Sequence, residues 1–186
     1  MEAKTLCCFL LFLLPVGTLS AKTDTCESGE ENCRQYEFST IEELEETILT
    51  KNGFLKECNG LWYKYFEGKK TFKLAVSQCE QYEGRLISTG YRDFDIRRSL
   101  LQTIRGKNST SRFWIGLRRD NINTSLWNWS DGIQATNTSD IWIAREPNNR
   151  YGELCGMNKS SVSKNQTVND LSCNEELAYF CEVEIK

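Results

Sequence analysis

Five side chains with oxygen donors gather around two cysteines late in the sequence. Glu146-Pro147-Asn148 is followed by Glu153, two residues before Cys155, and then by Asn169-Asp170, three residues before Cys173. Three carboxylates and two carboxamides in such a cluster suit calcium, which accepts about six to eight oxygens at flexible geometry. Zinc or copper would call for thiolate or imidazole donors instead. A cis bond between Glu146 and Pro147 would turn the flanking Glu and Asn side chains to one side. A lone Glu-Pro-Asn is an ordinary polar turn. With Glu153 and Asn169-Asp170 in step beside two cysteines, the expectation is a working calcium site.

The rest of the composition narrows the chemistry. The 186 residues include 9 Cys and no His, with 26 acidic against 23 basic side chains. Without imidazole, Ser-His-Asp and Cys-His nucleophile systems and all His-ligated zinc sites are excluded. An enzyme would depend on carboxylates, Lys or Tyr, and the carboxylates that could pair are the ones committed to metal. No enzymatic activity is expected. A formal net charge of −3 offers no general attraction to nucleic acid or anionic lipid.

Residues 1–20 read as a secretory signal peptide, with Lys4 at its positive start, an apolar run from Leu6 to Val16, and small residues at Thr18-Leu19-Ser20-Ala21. The run is well short of the roughly 20 apolar residues that span a bilayer, so a secreted, extracellular protein is expected. Cleavage would remove Cys7 and Cys8 and leave seven cysteines, an odd number in an oxidising compartment. Six N-glycosylation sequons, at Asn108, Asn123, Asn128, Asn137, Asn158 and Asn165, agree with that compartment and predict exposed loops.

These functional residues need a scaffold. Residues 22–57 carry ten acidic and four basic side chains, and the composition changes after them. We therefore divide the mature chain into an acidic N-terminal extension, 21–57, and a domain, 58–186. In the extension, Ser39-Thr40 start a short helix with Ile41, Leu44, Ile48 and Leu55 at heptad-like spacing, either packing on its own domain or forming a self-associating neck. In the domain, Leu61–Phe66 is strand-like, Glu67–Lys70 a turn, and Thr71 caps a helix through Tyr82. Arg85–Ser88 is extended, and a second helix from Tyr91 to Ile104 buries Phe94, Leu101 and Ile104. Strand-like aromatic segments follow at Phe113–Leu117, Leu126–Ser130, Ile141–Ile143 and Leu177–Val183. Trp114, Trp127, Trp129 and Trp142 are assigned to the core. Helices first and strands later give an α+β domain.

From about Cys58 to Glu184 the sequence resembles a C-type lectin domain. The matching pieces are Thr71-Phe72-x-x-Ala75-x-x-x-Cys79, Trp114-Ile-Gly-Leu117, Trp127-x-Trp129-x-Asp131-Gly132, Glu146-Pro-Asn148-Asn149, Glu153-x-Cys155, Asn169-Asp170-x-x-Cys173 and Phe180-Cys181-Glu182. The resemblance implies two helices, short antiparallel sheets, a long calcium-binding loop region, and disulfides Cys79–Cys181 and Cys155–Cys173. It implies one calcium held by Glu146, Asn148, Glu153, Asn169 and Asp170, the last through side chain and backbone carbonyl. The position of an auxiliary calcium presents Arg119, Asn123 and Asn149 instead of acids.

In such lectins two neighbouring sugar hydroxyls complete the calcium shell and hydrogen-bond the same side chains, here Glu146, Asn148, Glu153 and Asn169. Glu-Pro-Asn is similar to the version that prefers equatorial 3- and 4-hydroxyls, as in mannose, glucose, N-acetylglucosamine and fucose. The expected function is a secreted, calcium-dependent lectin for mannose-type glycans on microbes or other cells, with a role in innate immunity. The alternative is a protein-interaction module of the same fold with structural calcium or none. Cys26, Cys33 and Cys58 stay unassigned, with the neck or the odd cysteine as routes to a homo-oligomer. Arg145, Arg150 and Tyr151 lie close enough in sequence to touch a ligand.

Overall fold

A computed structural model describes residues 10–12, 20–25, 34–38, 40–104, 112–159 and 166–185. The chain divides into two compact units, one comprising residues up to 53 with the last two residues, the other Phe54–Glu184. In the first, β1 (Leu10–Phe12), β2 (Ser20–Thr25) and β3 (Arg34–Phe38) form an antiparallel sheet. Helix α1 (Ile41–Lys51) follows, its start fixed by Thr40, whose Oγ1 accepts the Glu43 N–H at 3.1 Å. Only Leu49 of this helix is buried, while Ile41 and Ile48, one heptad apart, are 55% and 44% exposed. Leu55 does not extend the heptad as expected, because Asn52 caps the helix and Gly53 turns the chain at φ +78°.

The second unit is built on a sheet that runs from β4 (Leu55–Lys56) and β5 (Trp62–Lys70) to β12 (Leu177–Val183), β7 (Phe113–Arg119), β10 (Cys155–Asn158) and β11 (Val168–Leu171). Strand β6 (Arg85–Leu86) pairs with β12, and β8 (Leu126–Trp129) links β7 to β9 (Gln134–Thr136). These ladders are antiparallel except β12 with β7, which is parallel. The expected turn at Glu67–Lys70 is instead strand: β5 stays paired through Lys70, and an irregularity opposite Leu177–Tyr179 absorbs its extra residues. The expected strand at Ile141–Ile143 reduces to a single bridge from Trp142 to Val168.

Helix α2 (Phe72–Glu80) buries Phe72, Ala75 and Cys79, the spacing of one apolar stripe. The second expected helix is two: α3 (Thr89–Arg92) and α4 (Phe94–Thr103), parted at Asp93. The Asp93 carboxylate accepts the Asp95 and Ile96 N–H groups at 2.9 and 3.1 Å, so a new helix starts there with a new phase. Ile96, Leu100 and Leu101 therefore face inward, and Phe94 is 42% exposed rather than buried as expected.

Trp114, Trp127, Trp129 and Trp142 are all buried, and their neighbours Tyr91, Phe113 and Phe180 pack edge-on or tilted in the same core. Both expected disulfides are present. Cys79 on α2 joins Cys181 on β12, and Cys155 at the start of β10 joins Cys173 just past β11. Cys58 is an exposed free thiol, whereas Cys26 and Cys33 lie outside the described residues. Among the described residues no helix is long and apolar enough to cross a membrane.

Candidate functional site

The β10–β11 hairpin carries two of the five expected ligands, Asn169 and Asp170. Its antiparallel register sets Met157 opposite Asn169 and Gly156 opposite Asp170, and the Cys155–Cys173 disulfide ties its base. Gly156 is required for this placement, since a Cβ there would stand 2.8 Å from the Leu117 Cβ of β7. The other ligands come from the loop between β9 and β10. Its Glu146–Pro147 bond is cis, and Asn149 turns the chain in the left-handed region at φ +51°, which Asn tolerates better than most residues.

Asp170 is the hub of the site. Its side chain is 0% exposed, and its two carboxylate oxygens accept the backbone N–H groups of Asn148 at 3.2 Å and Asn149 at 2.7 Å. Loop and hairpin are thereby fastened to each other. The Asn148 N–H also reaches Glu146 Oε2 at 3.0 Å, and the Asn148 amide Nδ2 donates to the same oxygen. Asn169 Nδ2 donates to the Asp170 backbone carbonyl, and Asn169 Oδ1 faces the Lys159 ammonium at 3.4 Å. Glu153 follows the short 3-10 turn Arg150–Gly152 and joins the group through charge.

Electrostatically the group is crowded with negative charge. Burial, then the hydrogen-bonded and charged Asp170 carboxylate, pushes Glu146 above the ordinary carboxylate range. Burial and Asp170 do the same to Glu153, with Arg150 and Lys159 opposing. Among the described residues no arginine or lysine closes an ion pair with Asp170. Contrast Glu182, the other buried carboxylate, which pairs with Arg85 Nε at 2.8 Å and accepts the Thr89 and Gly90 N–H groups at 3.0 and 3.1 Å. Glu182 has its cation built in; Asp170 does not.

This donor set fits a hard cation. No three acidic, thiol or imidazole groups among the described residues form a metal-holding cluster by themselves, so carboxamide and backbone oxygens must complete any shell. Glu146, Asn148, Asn169 and Asp170 are joined by direct hydrogen bonds, and Glu153 stands near enough to feel the Asp170 charge.

The expected auxiliary position is otherwise engaged. Arg119 Nε donates to the Thr124 carbonyl at 2.6 Å, and Asn123 Oδ1 accepts from Ser125. The adjacent Asp120 carboxylate takes N–H groups from Asn123 and Ile122 and the Asn128 amide, which hold it below the usual range.

The candidate glycosylation sites separate by burial. Asn123 is exposed, Asn128 and Asn137 are half-buried, and Asn108 and Asn165 lie outside the described residues. Asn137 Oδ1 accepts the Trp127 indole N–H at 2.9 Å. Asn158 is 0% exposed and its Oδ1 accepts the Tyr91 hydroxyl at 2.8 Å, an arrangement that a glycan on that amide would break. A tripeptide rule sees only residue types, not the strand that encloses them. Sequence reasoning also missed Lys159. The available signal was its position one residue beyond a strand, two from Met157, on the alternation that faces Asn169.

Comparison with known proteins agrees with this fold. Residues 68–183 match the Lectin C-type domain family. An alpha-N-acetylgalactosamine-specific lectin from Patiria pectinifera is 28% identical over 130 residues, 67% of this chain and 75% of that protein. The trimeric structure of the Kupffer cell C-type lectin receptor Clec4f superimposes with a TM-score of 0.59 at 25% identity, over 77% of this chain and 90% of that one. The C-type lectin CEL-I from Cucumaria echinata gives 0.58 at 20% identity, over 72% and 96%. Family match and a sheet closed by Cys79–Cys181 and Cys155–Cys173 lead to one conclusion: the chain belongs to the C-type lectin family, a carbohydrate-binding and not an enzymatic family.

Proposed function

We propose that this carbohydrate-recognition domain binds sugar through one calcium held by Glu146, Asn148, Glu153, Asn169 and Asp170. The observation that carries this is Asp170: a fully buried carboxylate, without an ion-pair partner among the described residues, whose charge is felt at Glu146 and Glu153. Buried charge is costly unless compensated, and a divalent cation is the compensation this oxygen set suits. Calcium, when bound, supplies open coordination positions for two vicinal hydroxyls. The side chains do the discriminating. Glu146 and Glu153 accept the hydroxyl protons, while the Asn148 and Asn169 amide groups donate to the hydroxyl oxygens. Glu-Pro-Asn favours equatorial 3,4-hydroxyls, hence mannose-type sugars, although the Patiria relative is named for N-acetylgalactosamine.

One such contact gives affinity near millimolar, about 4 kcal/mol, so useful binding needs several sites per particle. The exposed Ile41 and Ile48 of α1 offer a self-association face, and the Clec4f structure is described as trimeric. Secretion with cleavage of residues 1–20 and glycosylation at exposed sequons complete this reading. The decisive experiment is retention on immobilised mannose with calcium, release by chelator, and loss of retention in Asn148→Asp. Calcium-dependent retention on N-acetylgalactosamine but not mannose would overturn the assigned specificity, and retention indifferent to chelator would overturn the calcium mechanism.

A second reading has one observation in its favour. The Lys159 ammonium beside Asn169 supplies a positive charge of the chain's own, as a protein-interaction module independent of calcium would require. Protein capture unaffected by chelator, with no sugar retention, would select it.

A further inference from the structure

Lys159 deserves more than this secondary role, because the ladder gives it a defined position. Its backbone N–H donates to the Thr167 carbonyl at 2.9 Å, carrying the β10–β11 pairing one residue past Asn158. Side-chain alternation then places Lys159 on the side of Met157, whose opposite residue is Asn169. The ammonium ends 3.4 Å from Asn169 Oδ1, and its charge is felt at both Glu146 and Glu153. One candidate ligand thus meets a tethered cation directly, and two more feel its charge. Asn169 Nδ2 is already turned to the Asp170 carbonyl, so Oδ1 is the atom this carboxamide has to offer a metal.

An ammonium and a divalent ion sharing that oxygen would stand within a few ångströms and repel each other. We infer that Lys159 is an internal competitor for calcium, holding the Asn169 corner of the site when metal is absent and leaving it when metal enters. This rests on the calcium reading above and adds to it: calcium affinity is set by displacement of the protein's own cation, and the metal-free loop is held together in the meantime. Lys159 is a positioning residue here, since it acts through Asn169 and the carboxylates.

Calcium titrated calorimetrically into the metal-free wild type, Lys159→Gln, Lys159→Arg and the remote exposed Lys73→Gln separates the possibilities. Lys159→Gln should bind calcium tighter by roughly 3- to 30-fold, with Lys159→Arg and Lys73→Gln close to wild type. The metal-free melting temperature of Lys159→Gln should fall while its calcium-induced rise grows. Lys159→Met, which keeps the aliphatic stem, repeats the test if the glutamine variant fails to fold. Affinity in Lys159→Gln equal to or weaker than wild type overturns the inference, as does an equal gain in Lys73→Gln. If wild type takes up no calcium under any condition, the calcium reading falls and this inference with it, whereas unchanged affinity in a calcium-binding pair refutes the inference alone.

Discussion

Asp170→Asn tests the site at its hub. Asparagine keeps the shape but offers one acceptor oxygen where aspartate offers two. One of the N–H groups of Asn148 and Asn149, held now at 3.2 and 2.7 Å, would then meet an amide nitrogen. Losing a hydrogen bond to a charged group costs about 1.5 to 3 kcal/mol. Against that, removing the Asp170 charge relieves Glu146 and Glu153, both of which it pushes upward. The metal-free variant should therefore melt only slightly below wild type. With calcium the two should diverge. At a hundred times its dissociation constant, calcium would stabilise wild type by about 2.7 kcal/mol, on the order of 10 °C for a domain of this size. A variant whose affinity has fallen ~100-fold or more would gain almost nothing at that concentration. Melting curves with calcium and with chelator measure both quantities. Glu182→Gln is the comparator: equally buried but paired with Arg85, it should lower both curves together and leave the calcium-induced rise intact. Asp170→Asn showing the full wild-type rise would refute the assignment of Asp170 as a ligand.

Three further outcomes are expected. Because burial and Asp170 raise Glu146 and Glu153, their protonated forms are favoured in the folded, metal-free protein; their contribution to its stability is present at low pH and lost as pH rises through those raised values. Calcium needs the ionised forms, so the melting curves with calcium and with chelator should converge on acidification, beginning above the ordinary carboxylate range, and a gap independent of pH would count against the mechanism. Replacing Cys155 and Cys173 together with Ser reopens a loop of 18 residues, worth about 3 kcal/mol in the chain-entropy account, and should weaken calcium binding as well because the disulfide ties the hairpin that carries Asn169 and Asp170. Peptide mapping by mass spectrometry of folded, secreted protein should find glycan on Asn123 and none on Asn158, whose amide is sealed beneath Tyr91.

Residue patterns with a short reach proved readable. The Thr40 cap, the Phe72-Ala75-Cys79 stripe and the buried tryptophans each follow from local periodicity or side-chain size. Long-range pairing decided what periodicity could not. Lys70 remains strand because Leu177 lies opposite it, more than a hundred residues away in sequence, and Phe94 turns outward because Asp93 restarts the helix. At the site, the residue types of Glu146 to Asp170 gave the expectation of oxygen ligands, and the structure joins four of the five by hydrogen bonds. The burial of Asp170 and the two N–H groups that reach it depend on how loop and β10–β11 hairpin come together, which no spacing encodes.

Strand β12 pairs with β5, β6 and β7 together, yet it is the last strand of the domain to leave the ribosome. The sheet has no centre until those seven residues arrive, and Cys79 has no partner before Cys181 emerges. Every sequon upstream therefore leaves the ribosome on a chain whose sheet is still open. On the secreted reading proposed above, Asn158 would then face a race: a nascent molecule that received a glycan there could no longer place that amide under Tyr91, and would be diverted from maturing.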